Sequence, residues 1–505
     1  MRAVLCALIL LWPLLSHTAT LREAVTEQAQ RNFPEMLELL SLPNVADRPA
    51  DIQRNARFLE SAFSRRGFKT RLIDNPAARP AVYAELAGGP GAKAVLFYSH
   101  FDGQPVRPEL WSQKDPFQPV VKERRDGSWH EVPRERLFAR PLDHELRVFA
   151  RSASDDKAPI MMLLTAIDVM KARGDKPAIT IKVLLDPEEE MGSPSLAGMV
   201  ERHRELLDAE ALVILDGPAH SSGRPTLVFG NRGIAQATLT VYGPRHALHS
   251  GHYGNYAPNP AFRLAHLLAS MKAEDGRVLI PDYYACIELT DEDRKELAAV
   301  PDDERALLKR IGVSRAERVG GNYQEALQYP SLNVRGMSSA ATGEKTTNIV
   351  PSEAVAEIDV RTTPECDGRR QFELIRRHIE QQGYELVEGP PSDEERARHD
   401  KLATFTLHSV QAAMRMPMDA PVGAWARAAL GSRTANDQPV DPVSIRMMGG
   451  TVPVDVLVRA LDLPFLTVPT VNSDNNQHAS DENLRIGHFI SGTETVVSLL
   501  STRYP

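Results

Sequence analysis

The chain has 505 residues, of which 42% are hydrophobic and 25% are charged. This composition is ordinary for a globular protein with a large core, so it argues against a disordered or purely structural chain. The length suggests more than one domain. The formal net charge of −8, with no basic tract, argues against a general nucleic-acid binder.

The segment 1–20 has the layout of a secretory signal peptide. Arg2 precedes an apolar stretch, Ala3 to Leu15, and small and polar residues follow. The alternative is a membrane anchor, for which this stretch is short. We therefore expect an exported protein, periplasmic or secreted, with no membrane contact after cleavage. Two cysteines, Cys286 and Cys366, remain, and the sequence leaves their pairing open.

Four apolar runs predict buried strands, and each is followed by a possible metal ligand or its neighbour. Helical patterns lie between the runs, so we expect a parallel α/β sheet with these side chains at the carboxyl ends of its strands. The runs are Ala94–Tyr98 before His100 and Asp102, Ile179–Leu185 before Glu189 and Glu190, Ala211–Leu215 before Asp216, and Phe465–Val468 before Asp474 and His478.

Two acidic segments also have simpler interpretations. Residues 188–190 could form a solvated acidic turn. Asp155 and Asp156 precede an amphipathic helix that includes Ile160 and Leu164, so one of them could cap its N-terminus. A metal role is favoured because other candidate ligands also follow the predicted strands. Clustered like charges need a compensating cation.

The pattern of predicted strands and helices changes near residue 230. We predict an α+β unit inserted into the α/β domain. It contains an alternating strand, a histidine-rich loop at 246–252, charged helical residues and a second alternating strand. From about 400 the α/β pattern resumes, with a helix expected near 402–415. We expect the catalytic domain at 21–232 and 396–505, and the inserted domain at 233–395. Residues 104–150 predict a long surface excursion, and the role of 121–148 stays open.

The candidate ligands define the metal chemistry. Two histidines with several carboxylates suit borderline divalent ions such as zinc, manganese or cobalt. The candidates outnumber the ligands of one catalytic zinc, so we expect two ions per subunit that share a carboxylate.

The ordered motifs resemble a known family. His-Phe-Asp-Gly at 100–103, Ser-Asp-Asp-Lys at 154–157, Glu-Glu-Met-Gly-Ser at 189–193, Asp216 and His478 look like the co-catalytic metallopeptidase family M20. The likeness is to its carnosinase-like dipeptidase branch, which is related to glutamate carboxypeptidases and succinyl-diaminopimelate desuccinylases. It implies a zinc-peptidase-like catalytic domain with a mixed, largely parallel sheet. It also implies an inserted, ferredoxin-like α+β domain that serves as lid and dimerisation domain.

The same resemblance implies roles for the metal-site residues. His100 and Asp216 would hold one ion, Glu190 and His478 would hold the other, and Asp155 would bridge them. A cis peptide bond would follow Asp155. Glu189 would be the general base that activates a metal-bridging water, and Asp102 would orient His100.

Four more residues have implied roles in recognition. His249 resembles the lid histidine that reaches the partner's active site in a homodimer. Arg361 resembles the residue that holds the substrate's terminal carboxylate, and Asn348 and Thr451 occupy substrate-contact segments. We therefore expect a dinuclear peptidase that cleaves dipeptides or removes the C-terminal residue of short peptides. The alternatives are an N-acyl amino-acid amidohydrolase, similar to aminoacylases or desuccinylases, and, more remotely, an inactive peptide-binding protein.

Overall fold

The structure, a computed structural model, describes residues 20–431, 441–452 and 455–505, together with the backbone of 434–435 and 438–439. Residues 1–19 of the predicted signal peptide lie outside the described residues. Among the helices that the structure describes, none is long and apolar enough to cross a membrane.

The first part of the chain alternates strands and helices. Its helices are α1 Leu21–Ser41, α2 Pro49–Arg65, α3 Lys157–Arg173, α4 Leu196–Arg202 and α5 Arg204–Leu207. Its strands are β1 Lys69–Ile73, β2 Ala81–Leu86, β3 Ala94–His100, β4 Val120–Arg125, β5 Ser128–Val132, β6 Arg147–Phe149, β7 Thr180–Asp186, β8 Ala211–Ile214, β9 Thr226–Val228 and β10 Gly230–Asn231.

The middle part contains the inserted unit. Its strands are β11 Gly233–Tyr242, β12 Leu248–His249, β13 Asn333–Ser338, β14 Ile349–Val350, β15 Glu353–Thr362, β16 Glu385–Leu386 and β17 Leu402–Gln411. Its helices are α6 Ser250–Tyr253, α7 Pro260–Met271, α8 Asp291–Ala298, α9 Glu304–Ile311, α10 Tyr323–Ala326, α11 Gly368–Gln381 and α12 Asp393–Arg398.

The last part returns to the first domain. Its strands are β18 Met414–Arg415, β19 Thr434–Ala435, β20 Gln438–Pro439, β21 Val443–Ile445, β22 Phe465–Thr467 and β23 Asn483–Arg485, and its helices are α13 Pro421–Gly431, α14 Asp455–Leu461 and α15 Ile486–Ser501. Short 3₁₀ turns occur at Pro108–Leu110, Arg134–Phe138, Glu189–Met191 and Gly343–Lys345.

The central sheet has eight strands in the order β1-β2-β7-β3-β8-β22-β9-β21. The strands β7, β3, β8 and β22 run parallel to one another, whereas β1, β2 and β9 supply antiparallel pairs. The four predicted strands are these parallel ones, and they are apolar because both of their faces are buried. Helices including α1, α2, α3 and α15 cover one face, and α4 and α14 cover the other.

The inserted unit is an antiparallel sheet with helices on it. Its strands lie in the order β13-β15-β11-β17-β16, and the succession β11, α7, β13, β15, α11, β17 is that of a ferredoxin-like fold. The helices α7 and α11 bury a second core against the sheet. The predicted fold class, an α/β domain with an inserted α+β domain, is therefore confirmed.

The helix predicted near 402–415 is wrong. Residues Leu402–Gln411 form β17, which pairs along its length with β11 of the inserted sheet. Ala403, Phe405 and Leu407 pack against the core of the inserted unit and alternate with polar residues, which is the period of a strand. The inserted sheet therefore takes in residues beyond the predicted limit of 395.

Residues 104–150 also have more structure than the predicted surface excursion. The strands β4, β5 and β6 pair with one another and with β23 in a four-stranded antiparallel sheet. Because β6 and β23 flank the segments that carry Asp155 and His478, this small sheet joins two parts of the chain that lie far apart in sequence. The segment 121–148 is thus part of the scaffold beside the metal-site residues.

Candidate metal centre

The first predicted ligand, His100, is the last residue of β3. Its imidazole is fully buried, with Nδ1 3.2 Å from Asp102 Oδ1 and Nε2 2.9 Å from Asp155 Oδ1. The predicted contact that orients His100 through Asp102 is therefore present. Gly103 is required just after it, because a Cβ there would collide with Ser152 Oγ of the turn that carries Asp155.

Asp102 has a second function that the sequence did not indicate. Its Oδ1 accepts a hydrogen bond from the backbone N–H of Glu189 at 3.1 Å, and its Oδ2 accepts one from Glu190 N–H at 3.0 Å. One buried carboxylate thus fixes both His100 and the acidic turn Glu189–Met191. The alternative of a freely solvated turn is wrong, because this backbone is held from inside the protein.

The turn before α3 is held by Glu482, a residue that sequence reasoning missed. Its buried carboxylate accepts backbone hydrogen bonds from Ser152, Ser154 and Asp155, each at 2.9 Å, and pairs with Arg151 at 2.8 Å. The Asp155–Asp156 peptide bond is cis, as the resemblance implied. Glu482 lies 327 residues from Asp155, so no local pattern in the sequence could connect them.

The N-cap interpretation of the Asp-Asp pair does not hold. Asp156 occupies the N-cap position of α3, but its side chain makes no capping hydrogen bond. Instead its Oδ2 accepts hydrogen bonds from the Ser99 hydroxyl and from His100 N–H. Asp156 therefore supports the end of β3, while Asp155 is left to face the other candidate ligands.

The structure brings the five predicted ligands together in two groups. The ligand atoms of each group lie within 4.8 Å of one another, and the groups are His100, Asp155 and Asp216, and Asp155, Glu190 and His478. His478 Nε2 lies 3.1 Å from Asp155 Oδ2 and 3.4 Å from Glu190 Oε2. Asp155 belongs to both groups, which is the geometry that a bridging carboxylate requires.

The electrostatics of the cluster fit a divalent cation. Burial and the charge of Asp155 raise the pKa of Glu190 to about 7 and the pKa of Asp216 to about 6. Burial opposes the charge on His100, but the carboxylates of Glu189, Asp102 and Asp155 hold its pKa well above the usual value. Buried carboxylates crowded in this way need positive charge, and a set of imidazole nitrogens and carboxylate oxygens suits borderline divalent metals.

Glu189 lies beside the ligands without belonging to either group. Its Oε2 is 3.9 Å from His100 Nε2, and the turn held by Asp102 fixes its backbone. Burial raises its pKa well above the usual value, and the charges of Asp216 and Glu190 act in the same direction. Gln104, which the sequence did not indicate, donates to Glu190 Oε2 at 2.6 Å and so restrains the neighbouring ligand.

The remaining predicted residues form two separate pairs. Arg361 Nη1 donates to Thr451 Oγ1 at 2.7 Å. His249 and Asn348 lie on neighbouring exposed segments, where Ser250 N–H donates to the Asn348 carbonyl at 3.0 Å. Among the described residues, no hydrogen bond or ion pair joins either pair to the ligand cluster.

Comparisons with known proteins agree with this geometry. Residues 96–502 match peptidase family M20/M25/M40. The chain is 24% identical over 507 residues to the Cys-Gly metallodipeptidase dug1 of Schizosaccharomyces pombe, covering 94% of this chain and 95% of that protein. It is 23% identical over 431 residues to the Beta-Ala-His dipeptidase of Rattus norvegicus, covering 82% and 78% of the two chains. The M20 family metallo-carboxypeptidase Sso-CP2 from Sulfolobus solfataricus has a TM-score of 0.73 and 25% identity, covering 94% of this chain and 99% of that one.

The two-part fold and the cluster of histidines and carboxylates define a metal-dependent hydrolase. Because the match extends over most of its length, the chain belongs to peptidase family M20/M25/M40. It is thus a metallopeptidase, an enzyme that hydrolyses peptide bonds. The family and the enzyme class expected from the sequence are both confirmed.

We expect Glu482 to control metal affinity through the Asp155 turn. Glu482→Gln removes the negative charge that pairs with Arg151 and weakens the grip on the Asp155 backbone. Zinc affinity, measured by competition with a chromogenic chelator, should fall by about 10–100-fold. Glu35→Gln is the matched control, because it also disturbs a carboxylate–arginine contact, with Arg66, but far along the chain from the ligands. Equal zinc affinity in the wild type and Glu482→Gln would contradict this role.

Proposed function

We propose that the protein is a dinuclear metallopeptidase that hydrolyses dipeptides, or removes the C-terminal residue of short peptides. The observation that carries the proposal is the pair of ligand groups that share Asp155, with Glu189 beside them. The names of the relatives support the substrate class, because they describe a Cys-Gly metallodipeptidase and a Beta-Ala-His dipeptidase.

In this proposal each subunit holds two divalent ions. His100 and Asp216 hold one ion, Glu190 and His478 hold the other, and Asp155 serves both. Zinc suits these donors best, and manganese or cobalt would also fit them. When bound, such ions activate water and polarise the carbonyl of the peptide bond.

Glu189 handles the proton in the proposed reaction. Its carboxylate accepts a proton from the attacking water and passes it to the nitrogen of the leaving amine. This assignment rests on position: Glu189 reaches the ligand cluster, but it lies outside both ligand groups and so stays free to exchange a proton. Asp102 supports the step by fixing the backbone of Glu189 and the ring of His100 together.

Arg361 and Thr451 recognise the substrate's terminal carboxylate in this proposal. The guanidinium of Arg361 is half-buried, and among the described residues its side chain forms no ion pair. A carboxylate can therefore take up its remaining N–H groups, a geometry that suits the planar fork of arginine. Asn348 would contact the substrate from the segment next to His249.

We propose that the enzyme is a homodimer formed through the inserted unit. The strand β13 is an edge strand of the inserted sheet, and Met337 on it is 57% exposed. Tyr256 and Phe262, near α6 and α7, are 87% and 69% exposed. An exposed sheet edge with apolar side chains is a surface that natural proteins usually cover. His249 is exposed on the same unit, so a role in the partner's active site agrees with its position.

We also propose that the protein is exported, as residues 1–20 predict. Cys286 and Cys366 form a disulfide across 80 residues of the inserted unit, and disulfides persist mainly in oxidising compartments.

The function test compares peptides and variants. The zinc-loaded wild type should hydrolyse a dipeptide with a free C-terminus, and the amidated dipeptide should lose at least about tenfold in kcat/KM, because an unpaired buried charge costs roughly 2–5 kcal/mol. Glu189→Gln should keep both ions and lose about 10²–10⁴-fold in kcat. Glu190→Gln is its matched control, and it should retain about one ion fewer.

Other outcomes of this test would point elsewhere. Faster hydrolysis of N-acetyl or N-succinyl amino acids than of any dipeptide would favour an amidohydrolase. A chain that binds peptides without hydrolysing any of them would be a binding protein. Full activity with a single ion per chain would contradict the shared role of Asp155.

The dimer can be tested by complementation. His249→Ala and Glu189→Ala should each be nearly inactive, but in a mixed dimer one site has an intact Glu189 from one subunit and an intact His249 from the other. Random mixing makes half of the dimers mixed, and half of their sites work, so two-fold symmetry predicts about a quarter of wild-type activity. Mixed dimers isolated through two tags after co-expression should have about half of wild-type activity, because one of their two sites is intact. If these dimers were no more active than either parent, His249 would not act on the partner subunit.

Export can be tested on protein expressed with residues 1–20 in place. We expect an extracytoplasmic fraction whose N-terminus begins near residue 20. After unfolding without reductant, Cys286 and Cys366 should not react with a thiol reagent, and both should react after reduction. An intact Met1 in cytoplasmic protein with two reactive thiols would argue against export.

A further inference from the structure

Arg232 differs from the other buried arginines of the structure. Among the described residues, four arginine residues are buried, and three of them pair with carboxylates: Arg66 with Glu35 and Asp168, Arg147 with Asp474, and Arg151 with Glu482. Arg232 is only 7% exposed, and it has no carboxylate partner in the described part of the chain. A buried guanidinium without a counter-ion is costly unless an anion binds it.

The contacts of Arg232 leave part of its guanidinium free. Its Nη2 donates to the carbonyl of Tyr329 at 2.6 Å and to that of Arg361 at 3.3 Å, whereas its buried Nε has no hydrogen-bond partner. Burial lowers the pKa of Arg232 to about 10, and the charge of Arg361 acts in the same direction. Arg232 is therefore a charged donor at neutral pH whose environment would be improved by a negative group.

Arg232 lines a cavity of about 680 Å³ whose wall includes the α9–α10 segment and residues 329–332, which precede β13. Apolar side chains form much of the wall, including Leu308, Ile311 and Leu332. A cavity of this size takes a side chain or a small ligand. Its apolar and arginine-containing lining suits a group with an aliphatic body and an acidic end.

The charged groups of the cavity leave an excess of positive charge. Of its two acids, Glu317 pairs with Lys272 at 3.0 Å, and Glu304 accepts a hydrogen bond from the backbone N–H of Tyr323 at 3.0 Å. Arg310 and Arg315 also line the cavity, and neither forms an ion pair among the described residues. An incoming carboxylate would therefore meet arginines whose charge is not already neutralised.

Arg232 is also linked to the proposed carboxylate-binding residue. The Thr451 hydroxyl accepts a hydrogen bond from Arg361 Nη1 and donates one to the backbone carbonyl of Arg232, both at 2.7 Å. Hydrogen bonds through Thr451 therefore connect Arg232 with Arg361. A substrate residue whose main-chain carboxylate lies at Arg361 has the cavity and Arg232 close to its side chain.

We propose that Arg232 binds the side-chain carboxylate of an acidic residue at the C-terminus of the substrate, while Arg361 binds the terminal carboxylate. This inference rests on the proposed peptidase function and adds a substrate class to it: peptides that end in glutamate or aspartate. A guanidinium recognises a carboxylate with parallel hydrogen bonds, and in a buried site it discriminates strongly against a neutral amide.

The test compares Ala-Glu with Ala-Gln, which has nearly the same shape but no side-chain charge. The zinc-loaded wild type should show a kcat/KM at least about tenfold higher for Ala-Glu, the lower end of what a close charge pair contributes. In Arg232→Gln that ratio should fall below about threefold, because the charge that selects glutamate is gone. Arg232→Lys keeps the positive charge but lacks the guanidinium that forms two parallel hydrogen bonds. Its Ala-Glu to Ala-Gln ratio should therefore lie between those of the wild type and Arg232→Gln.

Arg396→Gln is the matched control for the structural contacts of Arg232. Arg396 also donates to backbone carbonyls, those of Gly243 and Pro391, but it does not line the cavity. This variant should keep the wild-type ratio.

Equal kcat/KM for the two peptides in the wild type would overturn the inference, and this comparison needs no variant to fold. Parallel losses for both peptides in Arg232→Gln would assign Arg232 a structural role only. If the wild type hydrolysed neither peptide nor any other dipeptide, the proposed function itself would fail, and the inference would fail with it.

Discussion

Carboxylates are crowded at one edge of the central sheet, and the surrounding structure compensates for their charge. Each buried ion costs several kcal/mol unless it is paired or hydrogen-bonded. Glu482 meets this requirement with Arg151 and three backbone N–H groups. Asp102 meets it with two N–H groups and His100. The five residues proposed as ligands are left to face one another, an arrangement of imidazole nitrogens and carboxylate oxygens that suits a divalent cation.

The strand ends place the candidate ligands at one edge of the sheet, and hydrogen bonds with distant loops orient them. The parallel strands bring their carboxyl ends to the same edge, so His100 of β3 lies opposite Asp186 of β7. Strand ends alone would not fix the direction of each ligand. Hydrogen bonds within the neighbouring turns do so, and their acceptors include Glu482, which lies outside both ligand groups. A substitution in this supporting layer should therefore change metal affinity without removing a ligand.

The sequence predicted which of these side chains would come together because the signal is local. An apolar run followed at once by a histidine or a carboxylate identifies both a strand and its functional end. Glu482 gave no such signal, since its importance comes from backbone groups that lie far away in the chain. The β17 strand was missed for a different reason: Thr404 and Thr406 alternate with apolar residues, but the expected return of the α/β domain near 400 favoured a helix there. Residues 402–411 form a strand because they pair with β11, which is distant in sequence.

Two contacts join the inserted unit to the catalytic domain near the residues proposed as ligands. His220, which follows Asp216 by four residues, has its Nε2 3.1 Å from Asp302 Oδ1 of the α8–α9 connection. Arg310 of α9 reaches Ser473, five residues before His478, at 3.5 Å. Both contacts start near a ligand and end on the segment that walls the Arg232 cavity. These contacts tie the segment beside the cavity to the loops of the catalytic domain that carry Asp216 and His478. His249 has no such contact in the described residues, and it lies on an exposed segment of the same unit. In the proposed enzyme, one inserted unit would thus serve the substrate site of its own subunit and present His249 to the partner subunit.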